Sequence, residues 1–100
     1  TREGTHKLDI KQLYYIESQG HDLFFHTSEG ELLGSGSMQE FEKRLEAYSF
    51  FRCNKGYLVN LEYVDTVHGE NVIVHGETVA LSRARRKAFL DALNNYINGV

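Results

Sequence analysis

The chain has 100 residues, 41% of them hydrophobic and 25% charged, which is enough to bury the core of one globular domain. No apolar run approaches the roughly 20 residues of a membrane-spanning helix, and one cysteine cannot form an internal disulfide. The composition therefore predicts a cytoplasmic chain with no membrane partner. The net charge of −3 argues, taken alone, against nucleic acid as a partner, although the distribution of charge matters more than its sum.

The first third of the chain is rich in strand-forming residues. Residues 7–11 alternate polar and apolar side chains, as on a half-buried strand, with Leu8 and Ile10 on one face. Polar turns then separate further predicted strands, and the Gly-Ser-Gly run at 34–36 ends the sheet pattern. These strands cover residues 13–16, 23–26 and 31–33.

A short helix is predicted after this run, because Ser37 and Glu40 have the S-x-x-E spacing of a capping box. Beyond them, apolar side chains recur at steps of three and four residues, which predicts an amphipathic helix of about three turns. The residues of this stripe are Met38, Phe41, Leu45 and Tyr48. We interpret the stripe as the helix face that packs on the core.

The second half of the chain has strand formers on both sides of a polar patch at residues 52–56. The predicted strands cover residues 50–51, 57–64, 71–75 and 78–81. Ser82 is then predicted to cap a final helix that has a broad apolar face. This face comprises Ala88, Phe89, Ala92, Leu93, Tyr96 and Ile97.

The chain contains no proline and no low-complexity run, so it shows no internal linker. We therefore expect residues 1–100 to form a single domain. The first residue is Thr rather than Met, which is why we expect this segment to be part of a longer protein.

Residues that could carry catalysis or bind a metal do not occur in a recognisable arrangement. The five histidines lack the spacing of zinc sites, and His68 and His75 fit surface turns better. Cys53 and His21 could serve as nucleophile and base, but nothing local supports this pairing. The sequence therefore predicts a protein that is not an enzyme and has no metal site and no other cofactor.

Four cations and no acid lie at the start of the predicted final helix, namely Arg83, Arg85, Arg86 and Lys87. A helix N-terminus already carries about half a positive elementary charge, so cations there are unfavourable unless an anion is near. The phosphates of a nucleic acid supply such anions repeatedly. The alternative is a solvated cluster whose charge is relieved by neighbouring carboxylates.

A second positive element lies in the polar patch, where Asn54, Lys55 and Gly56 form a predicted turn. Asn54 and Lys55 project from its tip in this interpretation. An amide suits an adenine edge, and a lysine can reach guanine or a phosphate. The alternative is an ordinary surface turn, because these residues are common in turns.

The run FRCNKGYLVN at residues 51–60 resembles the F-x-R-x-H-R-S-Y-L-V-N signature of the LytTR (LytR/AlgR-type) DNA-binding domain. Residues 13–18, LYYIES, are similar to the second strand of that family, and residues 79–83, VALSR, to the strand that leads into its basic helix. The resemblance covers essentially the whole chain. Two positions depart from the signature, since Asn54 replaces its histidine and Gly56 its serine.

The resemblance implies a mainly β fold, in which elongated antiparallel β-sheets pack in layers with one short internal helix and a C-terminal helix. It also implies that loops between strands contact double-stranded DNA, with base contacts from His21, Lys55 and Arg83. We expect phosphate or supporting contacts from Asn54, Arg85, Arg86 and Lys87. Arg52 matches the signature and either contacts DNA or supports the loop from behind.

The predicted function is sequence-specific DNA binding by the output domain of a bacterial transcriptional regulator in a two-component system. The resemblance implies a receiver domain before Thr1, promoter sites with repeated half-sites and a dimer on DNA. The alternative is a protein–protein interaction module that uses edge strands and the apolar face of the last helix. Cys53, beside the loop, is either a redox-sensitive thiol or an inert core residue.

Overall fold

The computed structural model describes residues 9–99, which form eight strands and two α-helices. The strands are β1 (Leu13–Gln19), β2 (Asp22–Thr27), β3 (Gly30–Ser35), β4 (Phe50–Asn54), β5 (Tyr57–Asn60), β6 (Val64–His68), β7 (Asn71–Val74) and β8 (Glu77–Ala80). The helices are α1 (Met38–Arg44) and α2 (Arg86–Ile97). Neither helix in this part of the chain has the length and apolar character needed to cross a membrane.

The strands form two antiparallel sheets. The larger has the order β3-β2-β1-β5-β4, and the smaller has the order β6-β7-β8. Every strand pair is antiparallel, so short turns can join neighbours. The described residues extend over 39 × 27 × 25 Å, which is an elongated shape.

The larger sheet is buried on both faces, and neighbouring residues of β5 show how. Leu58 packs with Met38 and Leu45 in the core beneath α1, whereas Val59 belongs to the core that includes Phe89 of α2. Successive strand residues point to opposite faces, so each face has its own core. The molecule is thus layered, with α1 on one side of the larger sheet and the smaller sheet with α2 on the other. The predicted fold class is confirmed.

A β-bulge in β1 sets which side chains face each core. The pairing of β1 with β2 shifts between Leu13 and Tyr15. Because of this extra residue, Tyr14 and Tyr15 both pack on the α2 side, while Leu13 and Ile16 face α1. Without the bulge, strict alternation would have placed Tyr14 and Tyr15 on opposite faces of the sheet.

Two stretches predicted as strand are instead 3₁₀ turns. Ile10–Gln12 form one, in which the Asp9 side chain accepts a hydrogen bond from the Lys11 N–H at 3.0 Å. Leu61–Tyr63 form the other, begun by the Asn60 side chain. In both, a side-chain acceptor satisfies a backbone donor and favours a turn over a strand. Residues 7 and 8 of the first prediction lie outside the described residues.

The internal helix begins as predicted but is shorter. The Ser37 hydroxyl accepts a hydrogen bond from the Glu40 N–H at 3.0 Å, which confirms the N-terminal cap. After α1 the chain forms the 3₁₀ turn Glu46–Tyr48, and Ser49 adopts a left-handed conformation with φ 65° that directs it into β4. Tyr48 is consequently exposed and does not extend the apolar stripe.

The run at residues 34–36 does not end the sheet, because β3 continues to Ser35. Gly34 is required there, since a Cβ would lie 2.7 Å from the ring of Phe25. This close approach keeps Phe25 buried against β3.

The prediction that Ser82 caps the final helix is wrong. Arg83–Arg85 first form a 3₁₀ turn without a side-chain cap, and α2 begins at Arg86. The backbone N–H of Ser82 is used elsewhere, because it donates to the Cys53 carbonyl oxygen at 2.8 Å. This bond attaches the start of the helix to β4.

The apolar face of α2 is narrower than predicted. Phe89 is fully buried, and Ala92 and Leu93 pack against the same core. Tyr96 is 39% exposed and Ile97 is 68% exposed, so the last turn of the helix is not packed. Burial of a phenylalanine such as Phe89 contributes about 1.5–3 kcal/mol, which makes it the main anchor of α2.

Candidate nucleic-acid interface

Two of the predicted DNA-contacting turns lie side by side. Strands β1 and β5 pair antiparallel, so the β1–β2 turn with His21 lies next to the β4–β5 turn with Lys55. The Ser18 N–H joins them by donating to the Gly56 carbonyl oxygen at 2.8 Å. Both His21 and Lys55 are exposed. Each can therefore reach a ligand that approaches this end of the larger sheet.

Asn54 joins the β4–β5 turn to the segment that follows β8. Its side-chain Nδ2 donates to the Ala80 carbonyl oxygen at 2.6 Å, and its Oδ1 accepts from the Gly56 N–H at 2.8 Å. Residues 81–85 after β8 therefore lie beside the β4–β5 turn, which in turn adjoins the β1–β2 turn. We call residues 20–21, 55–56 and 81–85 together the turn cluster.

Arg52 lies behind the β4–β5 turn. Its Nη2 donates to the Lys55 carbonyl oxygen at 2.8 Å, and its Nη1 lies 3.2 Å from Oε1 of Glu42 on α1. Only 17% of the Arg52 side chain is exposed. Within residues 9–99, its buried Nε has no hydrogen-bond partner. These contacts favour the second of the two interpretations of Arg52, in which it supports the loop from behind.

The basic connector between β8 and α2 contributes cations with different surroundings. Arg83 is exposed, and its Nη2 lies 3.4 Å from Oε2 of Glu70. The Arg86 guanidinium donates to the Gly69 carbonyl oxygen. Arg85 is half-buried and Lys87 is exposed. Arg83 and Arg85 lie in the 3₁₀ turn, whereas Arg86 and Lys87 begin α2, so the four cations are divided between two elements.

A carboxylate network supports the base of the two turns on the larger sheet. Glu17 accepts a hydrogen bond from Gln19 at 2.7 Å and lies 3.1 Å from Nε2 of His26. Burial opposes its ionisation, but the hydrogen bonds from Gln19, His26 and Tyr57 hold the pKa of Glu17 below its usual value. Burial and Glu17 together raise the pKa of Tyr57. The ionised Glu17 thus connects strands β1, β2 and β5 close to the turn cluster.

Cys53 is inside the core of the α2 side, with no exposed surface. Burial raises the pKa of its thiol to about 12, although the charge of Arg85 acts in the opposite direction. A thiol with such a pKa is almost entirely protonated near neutral pH and reacts slowly. The burial favours the interpretation of Cys53 as an inert core residue.

Two of the histidines, His26 and His75, have aromatic neighbours. His26 stacks on Tyr15 with ring centroids 4.2 Å apart, and His75 stacks on Tyr14 at 3.9 Å. They line an open groove of about 390 Å³ between the two sheets. Among residues 9–99, no group of three His, Cys, Asp or Glu side chains has the geometry of a metal site.

Sequence reasoning did not identify the acidic partners of the cationic residues. Glu42 contacts Arg52 from ten residues away, and Glu70 contacts Arg83 from thirteen residues away. Neither separation corresponds to a helical or strand period, so no pattern could have indicated them.

Comparison with known proteins identifies what this arrangement is similar to. Residues 3–94 match the model of a family described as the LytTr DNA-binding domain. Among solved structures, the chain is similar to a LytTr DNA-binding domain, assigned to a response regulator, from Bacillus cereus. The TM-score is 0.82 at 23% identity, over 93% of this chain and 91% of that chain, which establishes the fold. No curated protein matches the chain.

Proposed function

Because the chain belongs to the LytTr DNA-binding domain family, we propose that it binds double-stranded DNA sequence-specifically through the turn cluster. The observation that carries the proposal is the set of hydrogen bonds joining three segments from distant parts of the chain. Ser18 N–H to Gly56 O, Asn54 Nδ2 to Ala80 O and Ser82 N–H to Cys53 O hold these segments together. A rigid set of projecting side chains loses little conformational entropy on binding.

The proposed base contacts are His21, Lys55 and Arg83, which are exposed at the turn cluster. Their side chains can donate to acceptors on base edges in a groove, and such contacts carry sequence information. Exposure and a common location support this assignment. The departures from the family signature at Asn54 and Gly56 alter the turn that carries Lys55, so base preference at that turn is expected to be particular to this chain.

The proposed phosphate contacts are Lys87 and Arg85, with Arg86 in a mixed role. Lys87 is exposed, whereas the Arg86 guanidinium also donates to the Gly69 carbonyl oxygen. Arg52 and Asn54 are assigned a supporting role, since each holds the β4–β5 turn through its own hydrogen bonds. Supporting residues position the contacts, and phosphate contacts supply affinity that depends on salt.

We further propose that the domain is the output part of a bacterial transcriptional regulator in a two-component system, located in the cytoplasm. In this proposal a receiver domain precedes it, and a dimer binds promoter sites with repeated half-sites. The domain itself is neither an enzyme nor dependent on a cofactor. The family relationship supports this scheme, and the DNA-binding step is the part that can be tested on the 100-residue chain.

The experiment first selects duplexes from a random pool and then measures affinity for the selected duplex at several salt concentrations. Log affinity should fall with log salt at a slope of about −0.9 for each phosphate contact. Lys55→Ala should weaken binding about tenfold or more. Lys11→Ala is the matched control, because Lys11 is also exposed but precedes β1 at the other end of the strand. Equal effects of the two changes would contradict the proposed location.

The effect of a substitution on sequence selectivity distinguishes the proposed base contact of Arg83 from the proposed phosphate contacts of the neighbouring cations. Arg83→Ala should cost about 1–3 kcal/mol of specific binding and relax preference at one base position. Simultaneous alanine changes at Arg85, Arg86 and Lys87 should weaken all sequences alike and reduce the salt slope by about one unit per lost contact. An unchanged slope would place these cations away from DNA.

A protein–protein interface is the second candidate function, and the exposed end of α2 favours it. Tyr96 and Ile97 present apolar surface in its last turn. A partner bound there would depend mainly on apolar burial, so its affinity should change little with salt. Substitution of Tyr96 and Ile97 by charged residues should abolish binding of such a partner. If duplex affinity is unchanged in the same variant, the end of α2 and the turn cluster are separate surfaces.

A further inference from the structure

The turn between β6 and β7, residues 68–71, adjoins the turn cluster and is joined to it by two hydrogen bonds. The Leu81 N–H donates to the Glu70 carbonyl oxygen at 2.7 Å, and the Arg86 guanidinium donates to the Gly69 carbonyl oxygen. The two donors flank Arg83 in sequence, since Leu81 lies in the connector between β8 and α2 and Arg86 is the first residue of α2. The turn and the connector therefore form one structural unit.

Strand pairing fixes the location of Glu70 independently of its side chain. Asn71 pairs with His68 across the turn and with Ala80 on β8, so residue 70 must lie near the end of β8. Gly69 has φ 57°, a left-handed conformation that glycine adopts without strain. Glu70 is thus held beside Arg83 by the backbone and not by the attraction between their charges.

The ion pair itself is exposed. Oε2 of Glu70 lies 3.4 Å from Nη2 of Arg83, and the two side chains are 66% and 87% exposed. Pairs with this exposure contribute little to stability. At a DNA interface, however, the carboxylate occupies one side of the guanidinium and puts a negative charge where a phosphate would approach.

On the basis of the proposed DNA binding, we propose that Glu70 is a positioning and specificity-determining residue that acts through Arg83. Its carboxylate restrains the guanidinium and repels phosphates, so that Arg83 gains most from the acceptors of a guanine edge. A non-cognate duplex is bound mainly through phosphates and experiences the repulsion without the compensating base contact. Glu70 therefore lowers affinity for non-cognate DNA more than for cognate DNA.

The test is Glu70→Gln, which keeps the shape of the side chain and removes its charge. The probes are the duplex that the wild-type chain selects from a random pool and a scrambled duplex of the same length. Affinity for the scrambled duplex should rise about two- to fivefold, the size of an exposed charge interaction, and affinity for the selected duplex should rise less. The selectivity ratio between the two duplexes should therefore fall.

Glu62→Gln is the matched control for loss of one negative charge. Glu62 is exposed and follows β5, at the opposite end of that strand from Lys55. Its neutralisation should change both affinities alike and leave the selectivity ratio unchanged. Thermal unfolding of each variant checks that the fold is retained.

Repeating the Glu70→Gln test in an Arg83→Ala background separates an effect of Glu70 through Arg83 from a purely structural role of Glu70. There, Glu70→Gln should leave the selectivity ratio unchanged, because the two residues act as a coupled pair. The proposal is overturned if Glu70→Gln does not lower the selectivity ratio in the wild-type background. It is also overturned if Glu70→Gln lowers that ratio equally in the Arg83→Ala background. If the wild-type chain binds the selected duplex selectively and Glu70→Gln leaves the selectivity ratio unchanged, only the role of Glu70 is refuted. Absence of salt-dependent duplex binding by the wild-type chain refutes the proposed function and this inference together.

Discussion

The two neighbouring turns on the larger sheet differ in how they are held. The β4–β5 turn with Lys55 is held by side chains, because Arg52 donates to the Lys55 carbonyl oxygen and Asn54 bonds to both Gly56 and Ala80. The β1–β2 turn is held by backbone pairing at its base, and Gly20 has φ 63° at its tip. Within residues 9–99, the His21 side chain forms no hydrogen bond or ion pair.

This difference separates two ways of presenting a side chain to DNA. Lys55 lies on a turn whose backbone is held by hydrogen bonds, so little ordering would be needed for the proposed contact with a base. His21 lies on a turn that its own hairpin maintains, and its side chain can be replaced without disturbing the fold. We therefore expect the same surface to combine residues whose loss destabilises the fold with residues whose loss only weakens binding.

The strongest test of this comparison is Arg52→Ala. Loss of its hydrogen bonds to Lys55 and Glu42 should lower the free energy of unfolding by about 1.5–3 kcal/mol, the range for bonds to charged groups. DNA affinity should also fall, because the turn must then be ordered on binding. Urea unfolding and duplex titration provide the two measurements.

Arg52→Lys is the control for charge. Lysine keeps the positive charge but cannot bond to both partners in the planar geometry of a guanidinium. It should be destabilised nearly as much as the alanine variant. If the Arg52→Lys variant matches the wild type in DNA affinity and in stability, Arg52 acts through its positive charge and not by supporting the turn.

A smaller effect is expected for Asn54→Ala, which removes the bonds to Ala80 and Gly56. The free energy of unfolding should fall by about 1–2 kcal/mol, the net value of two neutral hydrogen bonds. Asn54→Asp keeps the acceptor for the Gly56 N–H but places an anionic oxygen against the Ala80 carbonyl. If Asp is tolerated better than Ala, the link to β8 is not what stabilises the turn.

A further prediction concerns Cys53, next to Asn54, and the dependence of the free energy of unfolding on pH. Its raised pKa means that the unfolded chain releases the thiol proton first, so stability is complete below the ordinary pKa near 8.5 and falls as pH rises towards about 12. The loss should be about 1 kcal/mol by pH 9 and about 2 kcal/mol by pH 10. Cys53→Ala should lack this part of the decline. Parallel profiles for the two proteins would indicate that the thiol is accessible in the folded state.

The smallest change in stability is expected for His21→Ala, on the less supported turn. Its free energy of unfolding should stay within about 0.5 kcal/mol of the wild type, as for other exposed residues without partners. Specific duplex affinity should nevertheless fall, because the proposed base contact is lost. A destabilisation as large as that of Asn54→Ala would remove the distinction between the two turns.

Local patterns were sufficient for much of the fold. The strand formers, the Ser37 cap and the signature around residues 51–60 led to the correct fold class and family. The errors occurred where a side chain satisfies a nearby backbone donor, as Asp9 does before Ile10–Gln12. They also occurred where the chain reverses within one turn, as at Ser49. Such events depend on single residues and leave periodicity unchanged.

The candidate site was predictable as a set of turns but not as a set of roles. The signature included Arg52, Asn54 and Lys55 together, and only their contacts separate the supporting residues from the projecting one. The pairing of Glu70 with Arg83 had no sequence signal, because both strands of the β7–β8 hairpin separate the two residues along the chain.

The sequence by itself determined where most of the strands and turns lie and which family the chain belongs to, because these depend on local spacing and on a contiguous motif. The tertiary structure decided that Asn54 bonds to Ala80, twenty-six residues away, and that the β6–β7 turn carries Glu70 to Arg83. Antiparallel pairing brings such residues together across the sheets, and the hydrogen bonds then formed hold Arg52 and Asn54 in the fold while Lys55 stays exposed.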